Sequence, residues 1–208
     1  MSRQTKINKL TELYDEFAGD SRYNYILFAD LCGSTEYKQW IINQGISNHF
    51  WMIRQLIFLS SAASHIENNG GTVIKTIGDE IMATFDFSES AEQILYWCVD
   101  MILSFSRSQT YTGKDRIRVK ISLDFGEVMN GSISGTKFDP IGLSVDRCAR
   151  LNKIADENKI LFSSDFNKKL KVAEKTNVHS AISSVDTLQD TFKGIGFSKY
   201  YLVNINLS

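Results

Sequence analysis

Val73-Ile74-Lys75-Thr76-Ile77-Gly78-Asp79-Glu80-Ile81-Met82-Ala83-Thr84-Phe85 joins two short apolar, β-branched runs through a Gly-Asp-Glu corner. Such runs on either side of a glycine-bearing turn spell a β-hairpin, and this one carries a pair of acids at its tip. Upstream, Tyr25-Ile26-Leu27-Phe28-Ala29-Asp30 is a second apolar run that ends in an acid, followed by Leu31-Cys32-Gly33-Ser34-Thr35. Two strands that each deliver an aspartate to one edge of a sheet can share a divalent cation. Magnesium and manganese take a few carboxylates and leave positions for phosphate oxygens, which makes Asp30 and Asp79 the candidate metal pair. Taken singly, each is equally a strand-end acid at a solvated edge.

Working outward, residues 1–22 are mostly polar with Leu10, Leu13, Tyr14 and Phe17 at helical spacing, which predicts a short amphipathic leader helix. After the first strand, Gly33-Ser34-Thr35 opens a helix through Tyr37, Trp40 and Ile41, with the serine or threonine as N-cap. A helix start facing a strand end is an anion site, because its first N–H groups have no partner within the helix. A longer helix is predicted over 47–67, stopped by Asn68-Asn69-Gly70-Gly71, and another over 88–106, capped by Ser88 or Ser90. Residues 116–125 and 127–134 read as two strands separated at Gly126, and Asp139-Pro140-Ile141-Gly142 as a turn. A helix over 143–154, a strand over 159–163 and a short helix over 165–172 follow. Strands over 178–204 are separated by Lys193-Gly194-Ile195-Gly196. The succession predicts an α+β fold, a ferredoxin-like βαββαβ core with a mostly antiparallel sheet, flanking helices and a C-terminal extension. The domain plan is a leader over 1–23 and one domain over 24–208.

The 208 residues, 43% hydrophobic, suffice for one well-buried domain. A net charge of −1 removes the electrostatic case for a nucleic-acid or membrane-surface binder. Cys32, Cys98 and Cys148 are odd in number and widely spaced, so neither a disulfide framework nor a zinc site is indicated. His49, His65 and His179 show no metal or triad spacing. A reduced, cytoplasmic protein is expected, with no apolar run long enough to span a membrane and no anchor of its own.

The ordered motifs carry a specific likeness. Phe28-Ala29-Asp30-Leu31-Cys32-Gly33-Ser34-Thr35, Lys75-Thr76-Ile77-Gly78-Asp79-Glu80-Ile81-Met82-Ala83, Gly126 with Gly131 and Gly135, Asp139-Pro140-Ile141-Gly142 leading to Ala149-Arg150-Leu151, and Phe192-Lys193-Gly194 before Tyr200-Tyr201 together resemble class III nucleotide cyclase catalytic domains. The resemblance covers residues 24–204. It implies that Asp30 and Asp79, assisted by the carbonyl of Leu31, hold two divalent cations, Mn2+ or Mg2+. Phe28 and Gly33, Ser34 and Thr35 would cradle the triphosphate of a nucleoside triphosphate. The chemistry implied is two-metal phosphoryl transfer, the ribose 3′-hydroxyl attacking the α-phosphorus as pyrophosphate leaves. The resemblance also implies a head-to-tail homodimer with composite sites. The second copy then supplies Lys75 and Asp139 to the base, Arg150 to the transition-state charge and Lys193 to the terminal phosphates. Read without the resemblance, Lys75 is a solvated strand lysine, Arg150 a helix-surface arginine paired with Asp146 four residues earlier, and Lys193 a turn residue.

Lysine beside aspartate favours a base edge with an amine next to an acceptor nitrogen, as in ATP or CTP, over the reversed edge of UTP or GTP. Two departures from the family pattern stand out. Asp146 occupies the position, usually asparagine, associated with orienting the ribose; a carboxylate there cannot donate and needs Arg147, Arg150 or a metal as partner. Asp124 stands where a histidine is common. A catalytic domain with an altered sugar contact and no sensor or membrane segment is similar to the pyrimidine cyclases of Pycsar anti-phage systems, whose cyclic CMP or cyclic UMP is read by a separate effector. The competing expectations are an adenylate cyclase making cyclic AMP and an inactive nucleotide-binding dimer module.

Overall fold

The computed structural model describes residues 2–18, 21–108, 116–133 and 136–207. Helix α1 (Arg3–Ala18) precedes β1 (Ser21–Leu31), α2 (Ser34–Asn43), α3 (His49–Asn68), β2 (Thr72–Ile77), β3 (Glu80–Asp86), α4 (Ala91–Ser106) and β4 (Val119–Ile133). Then come β5 (Thr136–Ile141), α5 (Leu143–Ile154), β6 (Ile160–Ser163), α6 (Ser164–Asn167), a 3-10 turn (Lys175–Val178), β7 (Ile182–Phe192) and β8 (Gly196–Ile205). The sheet order is β2-β3-β1-β4-β6-β8-β7, with β5 paired to β4 off that path. Among the described residues, only β4 and β6 run parallel. Its first four strands are the predicted βαββαβ core, and the α+β expectation is met.

β1 lies at the centre because it is apolar on both faces. Its alternate residues Tyr25, Leu27, Ala29 and Leu31 join Phe58, Ala62 and Ile66 of α3 and Ile94, Leu95 and Cys98 of α4 in the main core. The intervening Ile26 and Phe28 pack with Met82, Val128 and Cys148 under α5. The sheet is thus covered by α3 and α4 on one face and by α5 on the other. That second face carries the acids.

Several boundaries differ from expectation for identifiable reasons. The helix over 88–106 starts at Ala91, with the Ser90 side chain accepting from the Gln93 N–H. Gly126 breaks no strand: β4 runs through it, and a Cβ there would come within 2.8 Å of Ser144, so the glycine admits α5 rather than ending a strand. The 139–142 turn is the end of β5 instead. Pro140 is tolerated there because β5 pairs with β4 alone and the register shifts opposite it, between Met129 and Gly131. The predicted cap of α2 by Ser34 or Thr35 is replaced by Gly33, with no side-chain cap. The side chains of Leu10, Leu13, Tyr14 and Phe17 and the residue Gly135 lie outside the described set.

Candidate active site

The two acids are brought together by register and by one backbone bond. Asp30, at the end of β1, is directly opposite Glu80 on β3 and Lys120 on β4. Asp79 lies in the turn just before Glu80, and the Leu31 N–H donates to its carbonyl at 3.2 Å. The turn is braced from α3, where Gln55 donates to the Gly78 carbonyl at 2.9 Å. Gly78 takes φ +66°, a conformation that explains a glycine at this corner.

Strand pairing puts Asp30, Glu80 and Lys120 on one face of the sheet, where cross-strand neighbours feel each other most. Lys120 pairs with Asp30 at 3.2 Å. Burial pushes the Asp30 carboxyl above its usual range, Lys120 pulls it back and Asp79 adds to the rise. Glu80 is pushed up to about 7 by burial and then by Asp30. A corner in which acids hold each other's protons is one that a divalent cation relieves, so the donor set fits Mg2+ or Mn2+. Among the described residues no cluster of three or more His, Cys, Asp or Glu is placed to hold a metal. Asp30 and Asp79 would hold such a cation, and further oxygen ligands would have to come from outside these side chains.

Lys120 is the residue that sequence reading missed. The signal was present: over 117–123, Ile117, Val119, Ile121 and Leu123 are buried and alternate with Lys120 and Ser122, so Lys120 falls on the acid-bearing face.

Gly33, Ser34 and Thr35 form the start of α2 beside this corner. Gly33 sits at φ +68°, and a Cβ on it would meet the Arg118 guanidinium at 3.3 Å. Uncapped by any side chain, the first N–H groups of α2 have no intrahelical acceptor. Phe28 is placed differently: its side chain is buried under α5 and its carbonyl accepts from Asn152 at 3.1 Å. Burial pushes the Cys32 thiol up to about 12, away from the thiolate form.

The remaining candidates form separate groups. Lys75 donates to Asp139, joining β2 to β5. Arg150 lies against the Lys193-Gly194 corner, 3.7 Å from where a Cβ on Gly194 would sit, and its buried Nε has no hydrogen-bond partner. Asp146 is exposed in the first turn of α5. The ion pair expected between Asp146 and Arg150 is not formed, nor does Asp146 reach Arg147. Among the described residues, no hydrogen bond or ion pair links the acid corner to Lys75, Asp139, Arg150 or Lys193 within one copy.

Asp124 has a physical explanation. Fully buried, it receives two bonds from Arg147, at 2.6 and 2.7 Å, one from Ser163 and one from the Phe125 N–H at 2.7 Å. Arg147 also reaches Asp165 at 2.6 Å, which leaves its guanidinium firmly protonated. This network clamps α5 to β4, β6 and α6.

Glu80 gives the corner a pH signature. Its folded pKa of about 7 lies above the ordinary 4.5, so between those values the folded chain holds more protons than the unfolded one. Its contribution to stability is complete below about 4.5 and is lost as pH rises through 7. Melting in EDTA across that window is expected to show a declining Tm that Glu80→Gln flattens. An unchanged slope in the variant would assign the decline elsewhere.

Residues 22–203 match the family described as the adenylate and guanylate cyclase catalytic domain. No curated protein matches the chain. Among solved structures, the guanylyl cyclase Cya2 is 24% identical over 91% of this chain and 98% of that one, with a TM-score of 0.71. The guanylate cyclase domain of RhGC from Catenaria anguillulae, in complex with GTP, is 19% identical over 88% and 97%, with a TM-score of 0.69. An adenylate cyclase from Trypanosoma brucei, in its monomeric state, is 15% identical over 88% and 89%, with a TM-score of 0.71. At these identities the structural likeness is one of fold. The family match spans nearly the whole chain, and the protein belongs to the adenylate and guanylate cyclase family as a nucleotide cyclase catalytic domain.

Proposed function

We propose that this domain is a pyrimidine cyclase, converting CTP or UTP to cyclic CMP or cyclic UMP and pyrophosphate, and that a separate effector reads the product in a Pycsar-type anti-phage response. The observation that carries the chemistry is the corner where Asp30 and Asp79 are held together beside Lys120. In this reading Asp30, Asp79 and the Leu31 carbonyl hold two divalent cations. When bound, such cations lower the pKa of the ribose 3′-hydroxyl and neutralise the departing pyrophosphate. Gly33, Ser34 and Thr35 present N–H groups to phosphate oxygens, and Lys120 places a further positive charge beside them.

A second copy completes the site, giving Arg150 to the transition-state charge, Lys193 to the terminal phosphates and Asp146 to the ribose. The separation of these groups from the acids within one copy supports the dimer. No helix among the described residues is long and apolar enough to cross a membrane.

Base choice rests on Lys75 and Asp139. Their side chains already meet, so a base that offers an acceptor to the lysine and an amine to the aspartate satisfies both. Cytosine and adenine carry that edge, which makes CTP the favoured pyrimidine and ATP the second reading. Asp146, an acceptor where the family usually has asparagine, supports a ribose held in an altered way, and the preference for the pyrimidine rests on the resemblance of that altered contact to the pyrimidine cyclases.

The test supplies Mn2+ and each of ATP, GTP, CTP and UTP to the purified protein and identifies products by mass spectrometry. Cyclic CMP is expected as the main product, and Lys75→Glu is expected to move selectivity away from CTP and ATP. Cyclic AMP as the main product would overturn the pyrimidine reading. No cyclic product from any triphosphate, with the dimer intact, would leave the inactive nucleotide-binding module in its place.

A further inference from the structure

Arg118 stands beside the turn that opens α2. Its carbonyl accepts from the Cys32 N–H at 2.8 Å, which carries the pairing of Asp30 with Lys120 and of Leu31 with Val119 one step beyond the end of β4. Two residues from Lys120, Arg118 falls on the same side of the strand, the side that bears the acids. Its guanidinium reaches Gly33: Nη2 lies 3.3 Å from where a Cβ on that glycine would sit.

On its other side the guanidinium is paired, Nη1 lying 2.6 Å from the Glu157 carboxylate. Glu157 is kept there by its neighbour. The Asn158 N–H donates to the Val119 carbonyl at 2.7 Å, and the Asn158 side chain accepts from the Val119 N–H at 3.4 Å. Asn158 takes φ +57° in doing so, a left-handed conformation that asparagine tolerates. The backbone that carries the anion is thus clipped to β4. The two side chains, by contrast, are well exposed, 40% and 51%, so their pair contributes little to stability and opens readily.

We propose that Arg118 is a further phosphate-binding residue of the candidate active site, held by Glu157 while the site is empty and passed to the terminal phosphate of a bound nucleoside triphosphate. The proposal rests on the cyclase reading above. Two residues of strand span about 7 Å, so positive charge is laid out in line from the cation-holding aspartates through Lys120 to Arg118. A triphosphate lays out its negative charge in the same way. Its terminal phosphate carries more charge than a carboxylate and would meet the arginine beside the uncapped start of α2, so the exchange runs toward the phosphate. Glu157, left behind, is solvated, and the exchange strands no buried anion. Pyrophosphate keeps the same terminal group, and recapture of Arg118 by Glu157 favours its departure. Unlike Lys193, which the second copy would supply, Arg118 belongs to the same copy as the acids.

Glu157 is then a competitor of the substrate, and two substitutions separate that role from a structural ion pair. The full chain with Mg2+ is titrated with inorganic tripolyphosphate by calorimetry, a probe with neither base nor ribose, and KM and kcat are measured with the triphosphate that the chain turns over. Arg118→Ala is expected to weaken tripolyphosphate about tenfold and to raise KM by a similar factor with kcat within about twofold, because the terminal phosphate is held alike in the ground and transition states. Arg118→Lys restores part of the affinity as a point charge. Glu157→Gln acts in the opposite direction, tightening tripolyphosphate about threefold and strengthening inhibition by pyrophosphate. Both Arg118→Ala and Glu157→Gln keep Tm within about 3 °C of the parent. A merely structural pair would move both substitutions the same way. No saturable tripolyphosphate binding by the parent, unchanged binding in Arg118→Ala, or weakened binding in Glu157→Gln would each overturn the proposal, even where cyclic product forms and the cyclase reading stands. The expected order of affinities in a chain that forms no cyclic product would uphold the phosphate contact and remove the cyclase reading instead.

Discussion

Asp79→Ala and Asp30→Asn are each expected to lower cyclase turnover by about a thousandfold or more, equivalent to roughly 4 kcal/mol of transition-state stabilisation. The reason is that in the proposed function Asp30 and Asp79 are the two carboxylates that hold the cations, and losing either removes half of that charge. The same substitutions are expected to leave the fold intact. Burial already disfavours the anionic form of Asp30, so the neutral amide of asparagine is accommodated there, and Asp79 lies in a turn held by backbone bonds that alanine retains. The measurements are product formation with saturating Mn2+ and a parallel thermal melt. Activity within tenfold of the parent, or a collapsed melt, would remove these two residues from the proposed chemistry.

Arg147→Met is expected to cost about 3–5 kcal/mol of stability, or roughly 6–20 °C in Tm for a chain of this size. The substitution strips Asp124 of its bidentate partner and leaves a carboxylate with 0% exposure holding only Ser163 and the Phe125 N–H. Burial then drives the proton onto it. Asp124→Asn should cost less, since the Asp165 carboxylate still pairs with the guanidinium, while replacing both partners with apolar residues should recover much of the Arg147→Met loss. Urea unfolding of the singles and the double closes the cycle. Additive losses, with no recovery in the double, would show that the pair is not the unit of stability here. Because α5 also carries Asp146 and Arg150, the single variants are expected to lose turnover beyond what their unfolded fraction explains.

Much of this was legible in the chain. The 73–85 hairpin, the central strand ending at Asp30, the 143–154 helix and the final pair of strands are all local patterns, set by period and turn chemistry. The family followed from their order. What escaped was contact between distant segments. Asp124 and Arg147 look like a misplaced histidine and an idle helix arginine until β4 and α5 are packed together. Gly126 reads as a breaker because its neighbour Ser144 is supplied by another element. Lys120 meets Asp30 only through strand register, which a linear reading cannot supply. The Asp146–Arg150 spacing permitted an ion pair, but Arg150 turns toward the Gly194 corner instead.

The contact between Lys75 and Asp139 has a kinetic meaning. Both side chains are well exposed, 38% and 47%, and such pairs are worth about 0–1 kcal/mol. It is therefore a latch with a weak spring: side chains at this exposure exchange rotamers in roughly picoseconds to nanoseconds, far faster than any turnover. In the proposed role, every incoming base would find the latch open often enough to enter. A base that re-pairs both ends then stays, whereas one with the reversed edge sets a carbonyl against the carboxylate and an N–H against the ammonium, and departs. Selection of that kind acts on residence rather than on entry.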